Sequence, residues 1–262
     1  MLTTIASYRL LSGDLERSLE NTRNEPFVNR ETEYYLENIE NVKSIDEFVD
    51  NDRLFNYAMK ALGLEEMSYA KAFMRKALEG GIDDPQSFAN SFQDPRYQEF
   101  VATFNFVRHG ENTTIFERTR SGVADQYVRQ TLEENAGADN QGVRLALYFQ
   151  RKAPEVTSVY GLMGDRALLE VTQTALNLSS NTSSLDIDRQ AELIARELDI
   201  EDLKDPEKLD AFIERFTAIW EVSNPSSVSS NTAVPNIILS QPTIVGIGDG
   251  ILASLQNLKI GG

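Results

Sequence analysis

The sequence predicts an all-α fold built as an array of two tandem, similar multi-helix units. Three observations predict it: helix-spaced apolar residues along most of the chain, repeated cap signals, and a self-match at a fixed offset. The stretch VKSIDEFVDNDRLFNYAMKALGL, residues 42–64, returns as VTSVYGLMGDRALLEVTQTALNL, residues 156–178. Ser44 and Ser158 stand 114 positions apart, and the same offset carries Arg30 onto Arg144, Tyr34 onto Tyr148 and Leu54 onto Leu168. Apolar positions stay apolar between the identities: Ile45 with Val159, Phe48 with Leu162, Phe55 with Leu169. A chance alignment of common residues is the alternative, and the uninterrupted register favours duplication. After Leu64 the register slips, but a DP motif returns, Asp84-Pro85 and then Asp205-Pro206.

Helices are expected over residues 3–22, 28–41, 45–50, 53–63, 67–79, 85–92, 95–108, 115–136, 140–152, 159–163, 166–178, 187–198 and 206–222. In the first, Ile5, Tyr8, Leu11, Leu15 and Leu19 recur at three- and four-residue spacing. Ser44 and Glu47 read as a capping box, the serine taking a free helix N–H and the glutamate reaching back. Leu54, Tyr57, Ala58, Ala61 and Leu62 line one helical face, and Gly63 supplies a left-handed stop. The Asp-Pro pairs at 84–85, 94–95 and 205–206 each combine an N-cap with a first-turn proline. Ser158 keeps its cap role, but Gly161 stands where the box glutamate would be.

This spacing divides the chain into an N-terminal helix (1–27), repeat unit 1 (28–110), a connecting helix (111–141) and repeat unit 2 (142–222). A polar, flexible linker (223–235) and a tail with an amphipathic helix (236–262) complete it. Ile247, Ile251, Leu252, Leu255 and Leu258 fall near one face of that last helix. Short helices are marginal alone in water, so each terminal helix needs apolar cover. They either close over the chain's own core or dock on a partner or second copy. The candidate docking residues are those five with Ile5, Tyr8, Leu11 and Leu15.

Composition excludes several classes. The formal charge of -16, from 41 acidic and 25 basic residues, and the lack of a basic stripe argue against nucleic acid. With no cysteine, disulfides, thiolate metal sites and cysteine nucleophiles are excluded. No apolar run approaches the roughly 20 residues needed to span a bilayer, and the start lacks a cleaved-signal pattern. Any export is expected by a signal-less route.

Chemistry leaves little trace. The single histidine, His109, precedes Gly110 and reads as a helix C-terminal residue, with no spacing that supplies a catalytic partner, although an enzyme using Arg108 or His109 stays a rival reading. VGIGDG (245–250) lacks the Lys-Ser/Thr of a phosphate loop. The acidic run 199–210 has Lys204 where a calcium loop needs glycine. The sequon Asn112-Thr113-Thr114 means little without a secretory route. No catalytic residue, cofactor or metal is expected.

The segments RETEYYLENIENVKSIDEFVDNDRLFNYAMKALGL (30–64), KAFMRKALEGGIDDPQSFANSFQDPRY (71–97) and RLALYFQRKAPEVTSVYGLMGDRALLEV (144–171) carry a resemblance. They resemble an uncharacterised all-helical domain-of-unknown-function family found in alphaproteobacterial flagellar gene clusters, over most of residues 1–222. The resemblance implies a flagellum-linked protein and carries over no catalytic residue. The expectation is a non-enzymatic interaction protein, flagellum-associated, with flagellar or other protein partners or self-association. A cytoplasmic regulator or export chaperone is the alternative.

Overall fold

The computed structural model describes residues 2–179, 182 and 184–224. Among them there is no strand, and the fold is all-α. The helices are α1 (Thr4–Ser12), α2 (Leu15–Arg23), α3 (Pro26–Asn38), α4 (Ile45–Asp50), α5 (Asp52–Ala61), α6 (Lys71–Gly80) and α7 (Pro95–Thr103). They continue as α8 (Phe106–His109), α9 (Ser121–Asp139), α10 (Gln141–Lys152), α11 (Val159–Gly164), α12 (Arg166–Ala175), α13 (Ile187–Glu197) and α14 (Pro206–Ser223). Short 3-10 turns join several of them, including Ile39–Asn41 and Ala153–Glu155.

Two apolar cores form. The first gathers Tyr35, Phe48, Phe55, Met59, Phe100 and Phe104 and is closed by Val123, Tyr127 and Val128 of α9. Phe48 sits at its centre, 4.5 Å from the ring of Phe104 and 5.9 Å from that of Phe55. The second gathers Leu147, Phe149, Leu162, Leu168, Val171, Ile194, Ile213 and Phe216, with Tyr8 of α1 among them. Burial on this scale supplies the main stabilising term, since each fully buried large apolar side chain contributes about 1.5–3 kcal/mol. Helices α9 and α10 pack on each other along the seam between the cores.

Local geometry recurs at the 114-residue offset. The turn Ile39–Asn41 and helices α4 and α5 correspond position for position to Ala153–Glu155, α11 and α12. Ser44 and Ser158 both accept from the backbone N–H three residues on, and Asn51 and Asp165 both cap the helix that follows. Gly63 and Asn177 both have positive φ.

Several expected helices differ. The first breaks at Gly13-Asp14, where the Asp14 carboxylate accepts from Arg17 N–H and starts α2. Leu15 therefore belongs to a different helix from Ile5, Tyr8 and Leu11, and Leu19 packs on the first core. No α-helix forms over 85–92, because Asn90 Nδ2 donates to the Ile82 and Asp84 carbonyls and Ser91 Oγ to that of Phe88. Side chains there take the carbonyls a helix would use. The expected 95–108 helix is cut at Phe104, and Asn105 caps a new turn through Arg108 N–H. The expected 115–136 helix starts later, at Ser121, after 3-10 turns over Gly110–Ile115 and Glu117–Thr119. The expected box also differs: Glu47 Oε2 accepts from Lys43 N–H at 2.7 Å, one residue before the Ser44 cap.

Candidate functional site

A concavity of about 780 Å³ opens along the seam between the two cores. Its walls are the end of α5 through Glu66, the start of α7, one face of α9, the exposed face of α10 and the first turns of α12. A volume of this size falls within the range of small-molecule sites.

The lining is charged, and most of it is paired within the protein. Arg96 forks onto the Asp94 carboxylate at 2.7–3.1 Å, bonds the Gly63 carbonyl, and lies 3.1 Å from Glu66. Lys152 Nζ donates to Glu99 Oε2 at 2.8 Å, and Glu99 Oε1 accepts from Gln126. Lys60 reaches Glu134 at 2.8 Å. Tyr148 donates to Asp165 Oδ2 at 2.6 Å while Asp165 Oδ1 caps α12 through Ala167 and Leu168. Burial, with the Asp165 carboxylate beside it, pushes the Tyr148 phenol well above its ordinary range.

Under the cleft floor lies a buried charge cluster. Glu133, 1% exposed, takes Arg151 in a fork at 2.8 Å on both oxygens and Arg129 on Oε1 at 3.0 Å. Arg129 also donates to the Leu147 carbonyl, tying α9 to α10. Two guanidinium groups thus share one carboxylate. A buried charge left without its counter-charge costs several kcal/mol, so these groups fix the seam in one geometry.

The residues singled out from sequence scatter. Arg144 and Tyr148 line the cleft, one turn apart on α10. Arg30 and Tyr34 lie elsewhere: Arg30 is exposed on α3, and Tyr34 packs under the Arg53 guanidinium at 3.6 Å. Ser44 and Ser158 cap helices, and Leu54 and Leu168 are core residues. Of the docking candidates, Tyr8 is fully buried, Leu11 packs on the second core, and Ile5 and Leu15 are half-buried. The tail candidates Ile247, Ile251, Leu252, Leu255 and Leu258, with the linker and VGIGDG, lie outside the described residues.

His109 lies away from the cleft, at the end of α8, its ring edge-on to Phe116 at 4.9 Å. Desolvation, then Arg118 and Arg108, hold its pKa below the usual histidine value. Asp199 and Asp205 of the acidic run cap the helical turns that follow them. Among the described residues no group of three or more His, Asp or Glu could hold a metal ion, and no helix is long and apolar enough to cross a membrane.

Residues 61–209, more than half of the chain, match the model of a family described as "Protein of unknown function (DUF1217)". A crystal structure of a protein from Agrobacterium tumefaciens, solved by structural genomics, is similar at 50% identity and a TM-score of 0.80. That similarity covers 85% of this chain and 94% of the Agrobacterium chain. No curated protein matches.

Proposed function

Because the chain belongs to the DUF1217 family, which lends no activity, we propose from its architecture that it is a non-enzymatic helical interaction protein of the bacterial flagellum. The observation that carries the reading is the recurrence of turn, cap and helix at one fixed offset in two halves with separate cores. In this reading a single helical unit was copied in tandem, and the two copies present similar surfaces to a partner. The flagellar assignment is supported by the family resemblance of residues 30–64, 71–97 and 144–171. In this reading the Arg151–Glu133 and Lys152–Glu99 pairs brace α10 against α9 and α7 and hold the two copies in one arrangement for the partner.

The tail, residues 236–262, is the second docking element in this proposal, through Ile247, Ile251, Leu252, Leu255 and Leu258. Fractionating motile cells that carry a tagged copy tests the assignment. The protein should be recovered with basal-body or external flagellar material, and recovery should fall when residues 236–262 are removed. Recovery from the cytosol alone, bound to partly unfolded basic clients, would replace this reading with an export chaperone, for which a body of charge -16 is suited.

A further inference from the structure

Most arginines of the described body pair with a carboxylate or stack on a ring. Five do neither: Arg17, Arg144, Arg166, Arg196 and Arg215. Four of these are exposed, where water solvates them at no cost. Arg144 is half-buried, and it sits in the cleft wall. Its stem lies against Gly137 of α9, close enough that a Cβ at 137 would come within 2.7 Å of its Cδ. The chain thus leaves out a side chain at 137 where Arg144 passes, and supplies no acid to meet its head.

Arg166, in the first turn of α12, lines the same cleft. The neighbouring cations are already spent: Arg96 on Asp94, Arg151 on Glu133 and Lys152 on Glu99. Asp165 is occupied by Tyr148 and the α12 cap. Glu65 and Glu170 also line the cleft, and neither forms an ion pair. These two carboxylates disfavour extended polyanions and leave a short anionic group as the matching ligand.

We propose that Arg144 and Arg166 form a binding site for a small oxyanion-bearing ligand, one carrying a carboxylate or a phosphate group. A guanidinium offers either group two parallel N–H donors, and a partly desolvated setting strengthens such charge-assisted bonds. The cleft volume of about 780 Å³ accommodates a ligand larger than the anion itself, with the remainder against Leu145, Tyr148 and Ala167. This site stands apart from the interaction role proposed above and does not depend on it.

The test is calorimetric titration of the full chain, in low-chloride buffer, with citrate and separately with inorganic phosphate. Saturable one-site binding of at least one is expected, and the arm that binds tells carboxylate from phosphate. R144Q should weaken it by about tenfold or more, the loss of one charge-assisted contact. G137A should also weaken it, because the new methyl displaces the Arg144 stem while leaving the charge in the chain. R215Q, at an exposed arginine of α14 outside the cleft, should bind as the parent does. R166Q alters an exposed residue and supplies an independent reading should R144Q lose its helical signal. The site is overturned if neither anion binds saturably, or if R144Q and R166Q both bind as tightly as the parent.

Discussion

Gly63 and Asn177 close equivalent helices with the same hydrogen bonds. Gly63 N–H donates to the Lys60 carbonyl and Asn177 N–H to that of Thr174, while Leu64 and Leu178 each donate to the carbonyl five residues back. Their φ angles are 69° and 51°, the left-handed region. Asparagine is the commonest non-glycine residue to tolerate that conformation, and glycine adopts it without strain. G63A should therefore lose about 1 kcal/mol in urea unfolding, from φ alone, since the nearest atom to a new Cβ is Arg96 Cδ at 3.6 Å. N177G should hold or raise stability. A gain in G63A would refute the strain argument.

The Glu133 cluster gives a second expectation. E133Q leaves Arg129 and Arg151 without their shared counter-charge in a site where Glu133 is 1% exposed. Breaking a buried pair in this way costs about 3–5 kcal/mol. Denaturant unfolding of E133Q should show a loss of that order, whereas E20Q, which removes an exposed partner of Arg23, should change stability by less than about 1 kcal/mol.

Trp220, the single tryptophan, reports on a third. Its indole edge lies on Gly142 so closely that a Cβ there would overlap Cδ1 and Nε1, and the Thr4 methyl stands 2.9 Å away. G142A should displace the indole, shift its emission, and cost about 1–3 kcal/mol by overpacking. Unchanged emission would mean that α10, α14 and α1 do not meet as described.

The stacked rings of Tyr35, Tyr57 and Tyr127 govern alkaline stability. Tyr57 lies 4.4 Å from Tyr35 and 3.9 Å from Tyr127. Burial raises all three phenol pKa values, that of Tyr127 up to about 12 with Glu31, Glu65 and Glu134 adding to it. Each is an acid whose folded pKa exceeds its unfolded value near 10. The stability they contribute is therefore intact below pH 10 and is lost as pH rises through the folded values. Phenolate absorbance should rise in two phases, the later one coinciding with loss of helical circular dichroism. Y57F should move that later phase.

Much of the helix pattern was legible because side chains at helix starts announce it. Ser44, Asp94, Ser158 and Asp205 each cap a helix whose start the sequence places within a residue or two. Asp84-Pro85 carries the same signal and misleads, since Asn90 and Ser91 draw the carbonyls away from helical bonding. Apolar spacing runs unbroken across Gly13-Asp14, yet the Asp14 cap starts a new helix there. The cleft was not legible, because its walls come from segments near 61–66, 94–99, 130–134, 141–152 and 164–170. Only the four-residue spacing of Arg144 and Tyr148 hinted at a shared face, and nothing local told which of many charged residues would go unpaired.

Helix α1 is bound by α14, some two hundred positions further along the sequence. Thr4 N–H donates to Glu221, Tyr8 to Asp210 and Arg9 to Glu214, and Asn140 holds the Thr4 hydroxyl. During synthesis this segment emerges some two hundred residues ahead of its seat. Over that interval Tyr8 and Leu11 lack the core they pack on, while the sequence of the first core, through Val128, is already complete. The residues of the first core are therefore all synthesised before α1 has its seat in the second.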